Sequence, residues 1–373
     1  MHAAIAVTRG ARARMALVLL AIAVGALIVA ARPGDAQALR AVDPKAITLE
    51  WVGDIALSSQ QGLPPGGPIR ALAPVSRLLH GADVTLGNLE GTLSSGGGSK
   101  CGGTSGGNCF AFQAPPYTAG QLRGLGFDLV NQANNHSMDF GPFGRSQTIA
   151  ALRHAELAFT GLPGQITYLR VRGERVAFLG FAPYPYDGNL LDIAGAQRLI
   201  RQAARSASLV VVIIHAGAEG ADRAHTPHGS EFYLGEDRGD PRAFAHAAID
   251  AGASIVLGSG PHVIRGIERY RGRLIAYSLG NFVGYHTLGM GGVLSLSAIL
   301  RVTLGAHGAV LGGRWLSLSL VEGLPRRDFS NASAKLVGAL SRQDFPSDRF
   351  LIGPSGLFHI NPPRAGPPPK ASG

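Results

Sequence analysis

The sequence predicts an α/β fold, a layered α/β sandwich with mixed β-sheets flanked by helices. Three observations point there. Apolar strand-like runs alternate with helix-like segments through the middle of the chain. Strands then dominate, with 293–304 and 308–321 reading as an antiparallel pair. Polar residues recur directly after the buried strands, as they do where an open α/β sheet binds ligands.

The elements follow in order. Residues 47–57 (ITLEWVGDIAL) read as a buried strand ending in a Gly-Asp turn. Residues 69–80 suggest a short helix interrupted by Pro74. Residues 83–89 form a second strand, followed by a long Gly-rich loop. Residues 118–125 read as helix, 127–131 as strand and 144–155 as helix. Residues 175–182 read as strand, 194–207 as helix, and 208–215 (SLVVVIIH) as a fully buried strand. A helix opens at Asp240-Pro241, with Asp at the N-cap and Pro in the first turn. Further strands are read at 254–258, 264–270 and 274–279.

The N-terminus is expected to be a targeting segment. Arg9, Arg12 and Arg14 precede an apolar run from Met15 to Ala31, and Ala36-Gln37-Ala38 offers small residues at cleavage-site spacing. A signal peptide over 1–38 is the expectation, with an uncleaved anchor as the alternative. The run is short against the roughly 20 apolar residues of a spanning helix. The protein is therefore expected in the periplasm or cell envelope. One catalytic domain is expected over 45–325, then a C-terminal extension over 326–373 whose Pro-rich tail from Pro362 is disordered.

Composition narrows the function. The chain has 373 residues, 46% hydrophobic and 16% charged, which excludes a disordered protein. The formal net charge is +10. Removing 1–38 takes away four Arg and one Asp and leaves +7. The cations are scattered, without a Lys/Arg block or interleaved aromatics, which argues against nucleic acid and for solubility or an anionic polymer. The two cysteines, Cys101 and Cys109, lie in a Gly/Ser-rich stretch. In an exported protein they read as a disulfide closing that loop, since no Cys-based zinc spacing is present.

The polar strand ends form a constellation. Asp54 follows the first strand, and Asn88 and Glu90 the second. Asn134, Asn135, His136 and Asp139 follow FDLVNQA; His215 ends LVVVII with Glu219 four residues on; His262 follows SIVLGSGP. Any one of these is what an ordinary turn or helix cap shows. Together, mixed oxygen and imidazole donors suit manganese, zinc or iron. No G-x-S-x-G, P-loop or dinucleotide fingerprint competes with them.

GDIAL (53–57), GNLEGTL (87–93), NQANNHSMDFG (131–141), HAGAE (215–219), DAGASIVLGSGPHVIRGIE (250–268) and RLIAYSLGNF (273–282) stand in order along the chain. This set resembles the motifs of the CapA family, the capsule or poly-γ-glutamate synthesis proteins, whose fold resembles calcineurin-like metallophosphoesterases. The resemblance implies that Asp54, Glu90, Asn135, His215 and His262 are metal ligands. It implies that His136 assists the leaving group, with Asp139 orienting it. Asn88, Asn134, Glu219, Ser259 and Asn281 are implied in supporting or substrate-binding roles. Two departures bear on the metal count. Ala56 stands where the wider superfamily has the His of Asp-x-His, and Ser259 where the family often has an imidazole. One ion or two thus stays open. The implied function is a metal-dependent hydrolase acting on a phosphoester or an envelope polymer. The alternative is a non-catalytic polymer-binding or scaffold subunit. The implied partners are an anionic envelope polymer or its phosphorylated precursor, and a membrane synthase complex.

Overall fold

The computed structural model describes residues 43–59, 62–102, 109–288 and 291–359. The expected signal peptide or anchor and the tail from Pro362 lie outside these residues. Among the described residues, no helix is long and apolar enough to cross a membrane.

Two mixed sheets face each other. The first is built on β1 (Ile47–Ala56), β2 (Val84–Leu89), β3 (Leu129–Asn131) and β4 (Ala158–Thr160), all parallel. The second is built on β5 (Thr167–Val171), β6 (Glu174–Phe181), β7 (Leu209–His215), β8 (Ile255–Ser259), β9 (Ile267–Tyr270) and β10 (Arg273–Ala276), in the order β9-β10-β8-β7-β6-β5. Its central strands β6, β7, β8 and β10 are parallel, and β5 and β9 close the two edges antiparallel. The chain then returns to the first sheet. There β11 (Asn281–Gly284) runs parallel to the end of β1, and β12 (Leu296–Leu304), β13 (Val310–Val321) and β14 (Leu324–Arg327) add an antiparallel meander.

Strand periodicity sorts the core into layers. In β7, Leu209, Val211 and Ile213 join Ile47, Leu49 and Trp51 of β1 in the core between the sheets. The alternate residues Val210, Val212 and Ile214 pack outward with Ile200 and Phe244. These two come from α4 (Ile193–Ala204) and α5 (Pro241–Asp250), which cover the second sheet. Val52 and Ile55 turn the other way, toward Leu72, Leu122 and Leu152. Those leucines belong to α1 (Gly67–Leu72), α2 (Thr118–Gly124) and α3 (Gly141–His154). The result is the helix–sheet–sheet–helix layering that the sequence predicts.

The elements differ from expectation where local chemistry intervenes. The helix expected over 69–80 is split into α1 and a 3-10 turn at Ser76–His80, because Pro74 has no N–H for the ladder. Asp240 caps α5 as read, accepting from Ala243 N at 2.8 Å. The strand expected over 274–279 ends at Ala276, and β11 follows as a separate strand. The sequence reading has no helix after residue 325, yet α6 (Ala332–Asp344) adds Ala334, Val337 and Leu340 to the core between the sheets.

Candidate metal centre

The parallel strands of both sheets deliver their polar residues to one place. Asp54 pairs in register with Asn281 of β11 and Asn88 of β2, and His215 with Ser259 across β7 and β8. Gly53 makes the first of these approaches feasible. Its φ is +87°, and a Cβ there would lie 2.4 Å from Gly280 O. His262 holds a left-handed φ of 59°, a strained conformation of the kind found at functional sites.

Asp54, Glu90 and His262 are buried and bring one donor atom each to within 4.8 Å of one another. His262 Nδ1 donates to Asn281 Oδ1 at 2.8 Å, which turns Nε2 toward Glu90 Oε1 and Glu219 Oε2, each 3.5 Å away. Asp54 is held by its neighbours, accepting from Asn88 Nδ2 at 2.9 Å and Gly260 N at 3.3 Å. Asn88 is aimed in turn by Asn131 and Asn134, whose amides donate to its Oδ1 at 2.9 and 3.1 Å. His215 Nδ1 sits 3.2 Å from Ser259 Oγ and 3.6 Å from Asp54 Oδ1.

The charges are out of balance. Burial pushes the Glu90 carboxyl well above its ordinary range, and the carboxylates of Asp54 and Glu219 add to that. Burial alone would raise Asp54, but hydrogen bonds from His215 and His262 hold it low. Burial would lower His262, yet Glu90 and Glu219 raise its imidazolium well above the usual value. Burial takes His215 down to about 4.

A divalent cation fits this donor set. Neither oxygen of the buried Glu90 carboxylate has a hydrogen-bond partner, and the buried Asn135 Oδ1 has none either. Native interiors rarely leave such acceptors bare. A cation would take them up as ligands.

His136 stands beside the cluster. Its Nδ1 donates to Asp139 Oδ2 at 2.8 Å, so Nε2 faces Glu90 Oε1 at 3.8 Å. Phe112 stacks on the imidazole with ring centroids 4.3 Å apart, and Phe112 N donates to the same Asp139 oxygen at 2.6 Å. Lys100 Nζ lies 2.7 Å from the other oxygen. Cys101 and Cys109 are disulfide-bonded, so the bridge lies between these two holding residues.

The site residues expected from the sequence stand at or beside this place. Of the five expected ligands, however, Asp54, Glu90 and His262 form the close donor group, and Asn135 and His215 stand outside it. The two cysteines brace the wall. Ser259 is turned toward His215. A cavity of about 360 Å³ opens over the cluster, lined by Asn135, His136, Glu219, Lys100, Tyr184 and Arg238. A larger apolar groove of about 750 Å³, lined by Tyr117, Ala151 and His154, lies away from the cluster and holds none of its residues. Arg238 and Lys100 escape the sequence reading. Lys100 lies in a loop, and Arg238 follows a two-residue strand, Glu236–Asp237, that belongs to neither main sheet.

The layered α/β sandwich thus gathers buried Asp, Glu and His at converging strand ends. The chain belongs to the bacterial capsule synthesis protein PGA_cap family, whose model matches residues 48–286. It is similar to the PGA biosynthesis protein CapA of Bacillus subtilis (strain 168), 33% identical over 179 residues, 43% of this chain and 44% of the relative. It is also similar to the capsule biosynthesis protein CapA of Bacillus anthracis, 34% identical over 188 residues, 44% of this chain and 42% of the relative. The matches thus span less than half the length of these curated relatives. Among solved structures, the 5′-nucleotidase precursor of Thermus thermophilus aligns with 80% of this chain and 58% of its own, at 15% identity and a TM-score of 0.43.

Proposed function

We propose that this protein is an exported metal-dependent hydrolase of capsule or poly-γ-glutamate biosynthesis, acting on a phosphoester or on an envelope polymer. The observation that carries the reading is Glu90, a buried carboxylate with both oxygens unpartnered, facing Asp54 and the Nε2 of His262. Such a charge is expensive unless a cation takes it up. Asp54, Glu90 and His262 would hold the ion, with the free Asn135 Oδ1 beside them and His215 at the margin. When bound, it supplies Lewis-acid polarisation of the bond under attack. Manganese, zinc and iron all suit the mixed oxygen and imidazole donors.

The chain's own residues do the rest. Asp139 orients His136 by accepting from Nδ1, so that Nε2 faces the site; once Nε2 has taken up a proton, as from an attacking water, it gives that proton to the leaving group. Phe112 covers one face of the ring. The net charge of +7 left after residues 1–38 suits an anionic polymer or its phosphorylated precursor. Export, through a cleaved signal or a retained anchor, brings the protein to where that polymer is assembled.

Metal analysis of the purified protein, with a phosphoester and peptide-bond panel run beside His136→Ala, tests the reading. Bound metal and turnover lost in the variant support it. Absence of both metal and turnover after adding manganese or zinc ends it. Ser259, in place of an imidazole, favours a second reading, in which the old site serves a polymer-binding subunit of a membrane synthase complex. That reading requires co-purification with synthase subunits and no turnover.

A further inference from the structure

Glu219 extends the acidic cluster, and the chain already neutralises it. Arg238 Nη1 donates to Glu219 Oε1 at 2.6 Å, and Nη2 approaches His215 Nε2 at 3.4 Å. The Arg238 side chain is only 1% exposed, and its Nε has no hydrogen-bond partner. Arg238 also lines the cavity with Asn135 and His136.

A guanidinium keeps its charge at any working pH. Placed here, it bonds one Glu219 oxygen and stands 3.4 Å in front of His215 Nε2, the two donors a second ion would need. His215 Nδ1 is engaged on its other side, accepting from Asn88 Nδ2 at 3.1 Å with Ser259 Oγ 3.2 Å away. Neither ring nitrogen is left to bind metal. Ser259 offers a hydroxyl already within reach of that imidazole, not a new ligand. The other half of the cluster differs in kind. The oxygens of Glu90 are bare, and His262 Nε2 is turned into the site by the bond from Nδ1 to Asn281. One half is built for an ion, and the other already holds a cation of the chain's own.

We infer that the site takes a single divalent cation, among Asp54, Glu90 and His262, and that Arg238 stands in place of a second. Its unpartnered Nε–H is the donor for an anionic oxygen of the substrate, which makes the substrate class a phosphate-type oxyanion. A buried donor without an acceptor is costly until such an oxygen arrives, and guanidinium–phosphate bonds are charge-assisted. This rests on the metal-dependent hydrolase reading above.

The test needs no turnover. Metal per chain is measured by plasma mass spectrometry after equilibration with manganese or zinc. Binding of inorganic phosphate to the manganese-loaded protein is measured by calorimetry for wild type and Arg238→Gln. The expected result is about one ion per chain in both, with phosphate bound at least about tenfold more weakly by the variant, the loss of one charge-assisted bond. Two tightly held ions in wild type overturn the inference and leave the hydrolase reading standing. Unchanged phosphate affinity in Arg238→Gln overturns the substrate part. No ion in wild type overturns both readings together. The wild-type count decides the main point even where the variant fails to fold.

Discussion

Glu90 is the residue on which the site turns, because neither of its buried oxygens has a hydrogen-bond partner. Without metal, burial pushes its carboxyl toward the neutral form and leaves both oxygens without a hydrogen bond, a destabilising element. Glu90→Gln keeps the shape and removes the charge. The metal-free variant is expected to melt higher than metal-free wild type, while losing metal uptake. Calorimetric melting with and without a chelator checks both, and a variant that still binds one equivalent would refute the ligand assignment. His136 has a different signature. Its Nε2 is not among the donors that hold the ion, so His136→Ala should keep the metal and lose about 10²–10⁴-fold in hydrolysis, the usual worth of a proton-transfer group. Steady-state rates on a phosphoester, beside metal content, separate these outcomes. Loss of metal in His136→Ala would move His136 into the ligand set.

Two elements carry local predictions of their own. The disulfide closes a short loop whose flanks, Lys100 and Phe112, hold Asp139. By loop entropy, such a closure is worth roughly 2–3 kcal/mol. Cys101→Ser with Cys109→Ser should lower denaturant stability by that order, and loosening the grip on Asp139 should reduce turnover further than stability alone explains. Helix α6 begins without a side-chain cap at Asn331. Asp328 serves instead, accepting from Ala332 N at 2.8 Å and from Ser330 N at 2.8 Å. Burial would raise its carboxyl, but the bonds from Ser330 and Ala332 hold it below 3.8. A depressed carboxyl stabilises above its unfolded pKa and loses that contribution as pH falls through the folded one. Asp328→Ala should therefore cost about 1 kcal/mol at neutral pH, and the difference should vanish as the pH drops well below 3.8. A cost unchanged at low pH would mean the effect is packing, not the cap. The same helix shows why parts of the fold were hidden in the sequence. Its buried face includes Ser333, Gly338 and Ser341, so no apolar stripe announces it. Edge strand β5 is mostly half-exposed and reads as loop for the same reason.

At the scale of the molecule, what the sequence made legible were residues whose positions follow from a strand. Asp54, Glu90, His215 and His262 end or follow apolar runs, and parallel strands bring such ends together. Arg238 follows no strand of either main sheet and reaches the site only because its loop folds back over the cavity, a tertiary fact without a local signal. The two sheets meet at this site, so metal binding should stabilise the whole fold and not one loop. Trp51 Nε1 already ties the sheets by donating to Gly258 O at 3.1 Å, one residue before Ser259. An ion held by Asp54 and Glu90 of the first sheet and His262 of the second would add a bond of the same kind. A ligand that binds only the folded state adds about 2.7 kcal/mol at a hundredfold excess over its dissociation constant. Manganese or zinc should therefore raise the midpoint of a single cooperative transition. A chelator should reverse the rise, and Glu90→Gln should abolish it. A metal-dependent shift confined to one phase of a two-phase melt would instead place the ion within one sheet, and the bridge across the two would be wrong.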